Sequence, residues 1–304
     1  QDSQAKIFFV STGIQLKKAV EVFDNCPDLM EIVTFEKPKN SKLMIGDHVR
    51  LFDHIMLEGK GLYKEHNKVI DACSKEVKPD DVCTLIYTSG TTGKPKGAML
   101  THNNICSNVK AATHHIYWDD KDSCLSFLPL CHSFERTGGY YAIIACGAEI
   151  YYAESVDTVS KNLPEVKPTV VISVPRLFEK IFNVINKNVE EGSVIKQKIF
   201  KWALSTGQKY VDGKRGLVSL QKSLADKLVF DKLKEKTGGR VRLFVSGGAA
   251  LPPDIDTFFK CAGLPILQGY GLTETSPVMT ANRPGDEVVG VVGSVISGVT
   301  VGIQ

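Results

Sequence analysis

Short apolar runs alternate with stretches whose apolar residues recur every three to four positions, and the alternation continues along the chain. Lys6-Ile7-Phe8-Phe9-Val10 reads as a strand, Gln15 to Phe23 as a helix, and Glu31-Ile32-Val33-Thr34-Phe35 as the next strand. Strand candidates follow at Cys83–Tyr87, Ser123–Leu128, Ala148–Tyr152, Thr169–Ser173 and Val241–Ser246, with helical patterns at Asn103–Ile116, Thr137–Cys146 and Thr158–Val166. Nearly continuous apolar strands separated by helices predict an α/β fold of mostly parallel sheets covered by helices on both faces. In such sheets ligands sit at the carboxyl ends of strands. The Gly-rich segments after Tyr87 and after Val245 are expected at such ends, the first leaving a buried strand. No internal repeat or low-complexity linker interrupts the pattern.

Length and composition add outer limits. The 304 residues, 43% hydrophobic and 23% charged, suffice for one large domain or two lobes with a substantial core. No apolar run reaches the length of a membrane span, and Gln1-Asp2-Ser3-Gln4 is neither a signal peptide nor an initiator methionine, so the chain is expected to begin within a longer protein. Cysteines at 26, 73, 83, 106, 124, 131, 146 and 261 form no CxxC pair and no chelating spacing. They predict reduced, mostly buried thiols in a cytoplasmic protein.

The densest chemistry lies in Tyr87-Thr88-Ser89-Gly90-Thr91-Thr92-Gly93-Lys94-Pro95-Lys96-Gly97. Backbone donors, hydroxyls and two ammonium groups meet there, and the glycines let N–H groups converge on an anion. This is not the P-loop of nucleotide triphosphatases, because Pro95 stands five residues after Gly90 where that pattern has Gly, and no Ser or Thr follows Lys96. The run resembles the signature of the adenylate-forming enzymes, the superfamily of acyl-CoA synthetases, luciferases and peptide-synthetase adenylation domains. The resemblance implies that the chain is part of the large N-terminal domain of such an enzyme.

Three further segments belong with it. Gln268-Gly269-Tyr270-Gly271-Leu272-Thr273-Glu274-Thr275 combines a stacking aromatic, hydroxyls and a carboxylate, the parts needed for a base, a phosphoryl oxygen and Mg²⁺. It resembles the second superfamily signature, which implies that Tyr270 packs on adenine, Thr273 contacts the α-phosphate, and Glu274 with Thr88 ligates the metal. Phe244-Val245-Ser246-Gly247-Gly248-Ala249-Ala250-Leu251-Pro252 runs from a strand through small residues to a proline placed to start a helix. By the same resemblance Gly247, Gly248 and Ala249 border adenine and the acyl tunnel. Leu128-Pro129-Leu130-Cys131-His132-Ser133-Phe134-Glu135-Arg136 carries a histidine that the family places beside the carboxylate and the forming acyl phosphate. A structural histidine is the alternative. Glu135 and Arg136 read as a local ion pair, and Thr101 or Asn103 as the cap of a helix start near His102.

Together the resemblance implies ATP, Mg²⁺ and CoA as cofactors and co-substrates, with Glu274, Thr273, His132 and Lys96 catalytic. Thr88, Ser89, Gly90, Thr91, Thr92, Gly93, Lys96, Gly247, Gly248, Ala249, Gln268, Gly269, Tyr270, Gly271 and Thr273 would bind nucleotide. The implied reaction is formation of an acyl-adenylate and pyrophosphate from a fatty acid and MgATP, then thioester formation with CoA. An adenylate-forming ligase with another acyl acceptor and a non-catalytic nucleotide- or acyl-binding module are the alternatives.

Val174-Pro175-Arg176-Leu177-Phe178-Glu179-Lys180-Ile181-Phe182 and the following helical stretch resemble long-chain acyl-CoA synthetases in particular. Residues 180–242 hold 15 Lys+Arg against 6 Asp+Glu, a net of +9 where the whole chain carries +3. Phe182, Ile185, Val189, Ile195, Ile199, Phe200 and Trp202 punctuate these lysines. The basic 176–240 region reads either as a peripheral membrane contact toward anionic lipid, or acyl-CoA phosphates, or as a solvated helical face with an ordinary core stripe. No nucleic-acid partner is expected. The family's later ribose-binding aspartate, hinge and small C-terminal domain with its lysine have no counterpart in residues 1–304, so weak or no turnover is expected of this stretch alone.

Overall fold

Val171, Phe244 and Ile266 face one side of a seven-stranded sheet, while Val170, Ile172, Leu243, Val245 and Leu267 face the other. That two-residue period positions everything described below. The computed structural model describes residues 2–40, 43, 46–89 and 93–303. The chain divides into two units, Gln1–Asp81 and Val82–Gln304.

In the first unit, β1 (Ile7–Val10), β2 (Glu31–Thr34) and β3 (Val49–Leu51) pair in parallel in that order. Helix α1 (Gly13–Phe23) joins β1 to β2 and starts at a capping box. Gln15 N–H donates to the Thr12 hydroxyl at 3.4 Å, and Thr12 N–H donates to Gln15 Oε1 at 3.3 Å. Leu16 and Ala19 on its inner face pack with Val10, Leu29, Ile32 and Val49. Helix α2 (Phe52–Glu76) buries none of its side chains.

In the second unit, β4 (Val82–Thr88) and β5 (Lys96–Thr101) form a two-stranded antiparallel pair in which Thr88 stands opposite Lys96. This corrects the expectation for the strand before the phosphate loop: it lies outside the parallel sheet, and only Ile86 of it is buried. The reason is the short connection 89–95, since a parallel return needs about a dozen residues or more. Helix α3 (His102–His115) follows, capped by Thr101, whose hydroxyl accepts from Asn104 N–H at 3.1 Å.

The large sheet comprises β6 (Ser123–Ser126), β7 (Glu149–Tyr152), β8 (Val170–Ser173), β9 (Leu243–Ser246), β10 (Ile266–Gly271), β11 (Val278–Ala281) and β12 (Ser294–Val295). Its order is β12-β11-β10-β9-β8-β6-β7, parallel from β10 to β7 and antiparallel at β11 and β12. On one face lie Ile116, just past α3, and Phe134, which leads into a π-helix (Glu135–Ala142) continued by α4 (Ile143–Ala145). The other face is covered by α5 (Val159–Val166), α6 (Pro175–Glu190), α7 (Val194–Val211), α8 (Leu217–Ala225), a π turn (Asp226–Phe230), α9 (Asp231–Lys236) and α10 (Pro253–Cys261). Edge-to-face phenylalanines fill that side, Phe178 standing 5.6 Å from both Phe244 and Phe259.

An ion pair with a buried carboxylate and a partly exposed guanidinium straps the amino ends of β6 and β9. Arg242 Nε donates to Asp122 Oδ1 at 2.9 Å, a second guanidinium nitrogen contacts Oδ2, and the Thr169 hydroxyl donates to Oδ1 at 2.6 Å. Burial pushes the Asp122 carboxyl up, yet the bonds from Arg242, Thr169 and the Asp119 backbone outweigh it, and the net direction is down.

Three further expectations are corrected. Glu135 and Arg136 form no ion pair: Glu135 turns inward to the Ser126 hydroxyl at 2.5 Å, while Arg136 donates to Thr84 Oγ1 at 2.8 Å. The helix expected at 137–146 starts earlier and is mostly π-helical. Of the cysteines only Cys124 and Cys261 are buried, whereas Cys73, Cys106 and Cys131 are exposed. The apolar residues among the lysines are mainly core: Phe200 is buried and Phe182, Ile185, Val189 and Trp202 pack partly buried against it.

Candidate active site

Thr88, His132, Gly247, Gly248, Gly269, Tyr270, Gly271, Thr273 and Glu274 line one cavity of about 320 Å³ on the π-helix side of the large sheet. The four sequence segments therefore converge, from the end of β4, the start of the π-helix, the turn after β9 and the end of β10. Ile116, Trp118, Ala142, Ile172, Val245 and Ala281 supply an apolar wall.

Each polar group is held by local structure. β10 passes into a 3₁₀ turn, Thr273–Thr275, where the Thr275 hydroxyl accepts from Leu272 N–H at 2.8 Å and donates to the Pro277 carbonyl at 2.6 Å. That turn presents Thr273 and Glu274 to the cavity. A Cβ on Gly271 would run into the Pro277 carbonyl, so this close approach requires glycine. At the turn after β9, a Cβ on Gly247 would stand 2.8 Å from the Phe134 ring. Tyr270 is 50% exposed, leaving a ring face free for stacking.

His132 accepts Phe134 N–H at Nδ1 over 3.2 Å, which leaves Nε2 as the protonated nitrogen of the neutral ring. Next to it the buried Ser133 hydroxyl is 3.1 Å from Thr273 Oγ1. Two residues further, Glu135 is buried with Oε2 lacking a partner among the described residues. Burial raises its carboxyl to about 7, against the opposing hydrogen bond from Ser126.

Other nominated residues lie elsewhere. Lys96 opens β5, exposed and not lining the cavity, as are Ser89, Gly93 and Ala249. Gln268 follows the two-residue period of β10: Leu267 faces the cavity side, so Gln268 faces α10 and donates to Asp256 Oδ2 at 2.8 Å. Gly90, Thr91 and Thr92 lie outside the described residues.

Residues not nominated complete the cavity. Asn108 and His115 of α3 tie down its β11 edge: Asn108 Nδ2 donates to the Val278 carbonyl at 2.8 Å, and His115 Nε2 donates to the Ala281 carbonyl at 2.9 Å. Both are buried polar residues on the inner face of a predicted helix, and such residues require partners. Trp118 in the wall stands in an irregular segment and carried no periodic signal.

For a divalent metal, the cavity offers the Thr88 hydroxyl and the Glu274 carboxylate. Among the described residues no three His, Cys, Asp or Glu gather as a metal cage. One carboxylate and one hydroxyl fit Mg²⁺, which keeps waters and takes phosphate oxygens in place of an all-protein shell.

The family model described as "AMP-binding enzyme" matches residues 1–304. Long chain acyl-CoA synthetase 7, peroxisomal, of Arabidopsis thaliana is 40% identical over 222 residues, covering 71% of this chain and 31% of that protein. The long-chain-fatty-acid–CoA ligase FadD15 of Mycobacterium bovis is 32% identical over 308 residues, covering 98% of this chain and 48% of that protein. The chain thus spans less than half the length of these relatives. ATP-bound MatB from Rhodopseudomonas palustris shares the fold, with a TM-score of 0.62 at 20% identity over 98% of this chain and 46% of its own. With the match covering every residue from 1 to 304 and the four segments meeting at one cavity, the chain belongs to the AMP-binding enzyme family.

Proposed function

We propose that this chain is the nucleotide- and acid-binding part of a long-chain fatty acid CoA ligase that forms acyl-AMP. The observation that carries this reading is the composition of this cavity: a stacking tyrosine, the Thr88 and Thr273 hydroxyls and the Glu274 carboxylate, together with an apolar wall suited to an alkyl chain. The long-chain synthetases among its relatives support the choice of acid.

In the first step a carboxylate oxygen bonds to the α-phosphorus of ATP, and the bond to the bridging oxygen breaks with release of pyrophosphate. In the second, a thiol such as that of CoA bonds to the acyl carbon, its proton passes to solvent, and AMP leaves. The protein's share of the first step is to bring two anions together and hold them in line. Tyr270 would stack on adenine, the Thr273 hydroxyl would donate to the α-phosphate, and His132 Nε2–H would donate to the substrate carboxylate. Thr88 and Glu274 would hold Mg²⁺, which when bound screens the phosphate charge. Lys96, exposed beside the phosphate loop, would reach the outer phosphates.

No helix among the described residues is long and apolar enough to cross a membrane. Exposed thiols at Cys73, Cys106 and Cys131 suit the reducing cytoplasm as its place of work, with the basic helices in peripheral contact with an anionic membrane.

The deciding experiment measures pyrophosphate release by the intact protein with MgATP across short, medium and long fatty acids, with and without CoA. Release that depends on acid, is strongest with long chains and turns over repeatedly only with CoA is expected. Turnover without CoA but with a carrier protein would reassign the acceptor, and ATP binding without release would make the chain a sensor.

A further inference from the structure

The helical face of the large sheet carries a second cavity, of about 500 Å³, between α6, α7, the π turn 226–230 and α9. The first cavity is on the opposite face, so this one is independent of the reaction assigned there. Ile185, Val189, Ile199, Phe200, Leu228 and Phe258 form its walls. Among the described residues its only ionisable side chains are Lys196, Lys232 and Lys236, and no Asp or Glu lines it.

The charge pattern is selective. Nearby, Lys222 pairs with Asp226, and Lys234 stands 3.3 Å from Asp231. Lys232 and Lys236 have no acidic partner among the described residues. Lys196 donates to the Asn188 carbonyl at 2.9 Å, which holds its ammonium at the turn between α6 and α7. Asp226 and Asp231 are thus engaged by other lysines, and positive charge is left at the cavity edge. Ile195 and Leu228 are 70% and 46% exposed at the mouth, apolar surface that a ligand would cover.

An apolar cleft of this size falls within the range of small-molecule sites, roughly 300–1,000 Å³. Its chemistry selects a body with no hydrogen-bonding groups and one anionic end. A neutral apolar ligand would leave the lysines unused, and a small anion would leave the walls wet.

We propose that this cleft binds a single-chain anionic amphiphile, with the alkyl tail between α6, α7 and the π turn and the carboxylate or phosphate at Lys232 and Lys236.

The test is photo-crosslinking of the intact protein with a diazirine-bearing hexadecanoate below its micelle concentration, in excess non-hydrolysable acyl-adenylate analogue to occupy the first cavity. Labelling is expected in the peptides holding Ile195, Ile199 and Leu228. It should fall at least about fivefold in Lys232→Glu/Lys236→Glu, persist in the double Arg variant, and be lost in Ile199→Trp, which fills the cleft. Unlabelled hexadecanoate and hexadecyl phosphate as competitors distinguish the two head groups, and displacement by either supports the site. Thermal melts of each variant separate lost binding from lost fold. Wild-type protein unlabelled in these peptides, labelling indifferent to charge reversal, or labelling only from phosphatidylserine vesicles, a membrane surface in place of a monomer site, would overturn the proposal. Failure of the adenylation reading would show separately, as no protection of the His132 and Tyr270 peptides by the analogue.

Discussion

The Ser133 hydroxyl lies 3.1 Å from that of Thr273, so a hydrogen bond joins residues 140 positions apart in the wall of one cavity. It couples the π-helix to the turn after β10. In the proposed reaction Thr273 touches the α-phosphate, and Ser133 acts through it. Ser133→Ala should lower kcat/KM for ATP about five- to tenfold, one hydrogen bond's worth. In Thr273→Ala the same Ser133 change should add little. Fully additive losses in that double-mutant cycle would show the two residues to be independent.

Among the described residues Glu274 is the single carboxylate in the cavity lining, and it sits on a turn tied by Thr275. Glu274→Gln keeps the shape and removes the charge. Pyrophosphate release should fall by about a hundredfold or more while circular dichroism and the melting temperature hold. Near-wild-type release would remove Glu274 from the metal site.

Glu135 makes stability depend on pH. Its carboxyl is raised from the ordinary 4.5 to about 7 by burial, so the folded state keeps a proton that the unfolded state has lost. Stability should therefore decline as pH rises through that window and level off above it, by an amount of order 3 kcal/mol. In Glu135→Gln the decline should vanish. Urea unfolding of both proteins across the window checks this.

Asp122 behaves with the opposite sign. Its carboxyl is held below the ordinary 3.8, so the stability it contributes is present above that value and is lost as pH falls below it. Arg242→Ala leaves Asp122 buried without its cation and should cost about 2 kcal/mol, less than for a fully enclosed pair because Arg242 is 40% exposed. Denaturant midpoints of Arg242→Ala and of the doubly substituted Asp122→Asn/Arg242→Ala protein measure it. The second should recover part of the loss.

Much of this was legible beforehand. Four of the seven strands of the large sheet, β6 to β9, fall close to their predicted positions because their apolar runs are short and bounded by turns, as at Val170–Ser173 and Leu243–Ser246; β10, β11 and β12, rich in glycine or only two to four residues long, were not anticipated as strands. The cavity was legible through Thr88, the Gly247–Gly248 turn and the Tyr270–Glu274 segment, whereas the rest of the phosphate loop does not line it among the described residues. Direction was harder to read than position. Gln268 lies in the right segment yet turns to Asp256, and only the alternation of β10 with the helices packed on it shows this. The hairpin of β4 and β5 was missed because an apolar strand carries no mark of its partner's direction. The length of the connection that follows does.

The strict alternation of β8, β9 and β10 has a practical consequence for altering substrate range. A library confined to Ile172, Val245 and Ala142 would reshape the cavity while leaving the Phe178, Phe244 and Phe259 cluster untouched. Inserting one residue early in β9 would do the reverse: it would drive phenylalanine into the cavity and glycine into the helical core, so this strand accepts exchange of side chains but not of length.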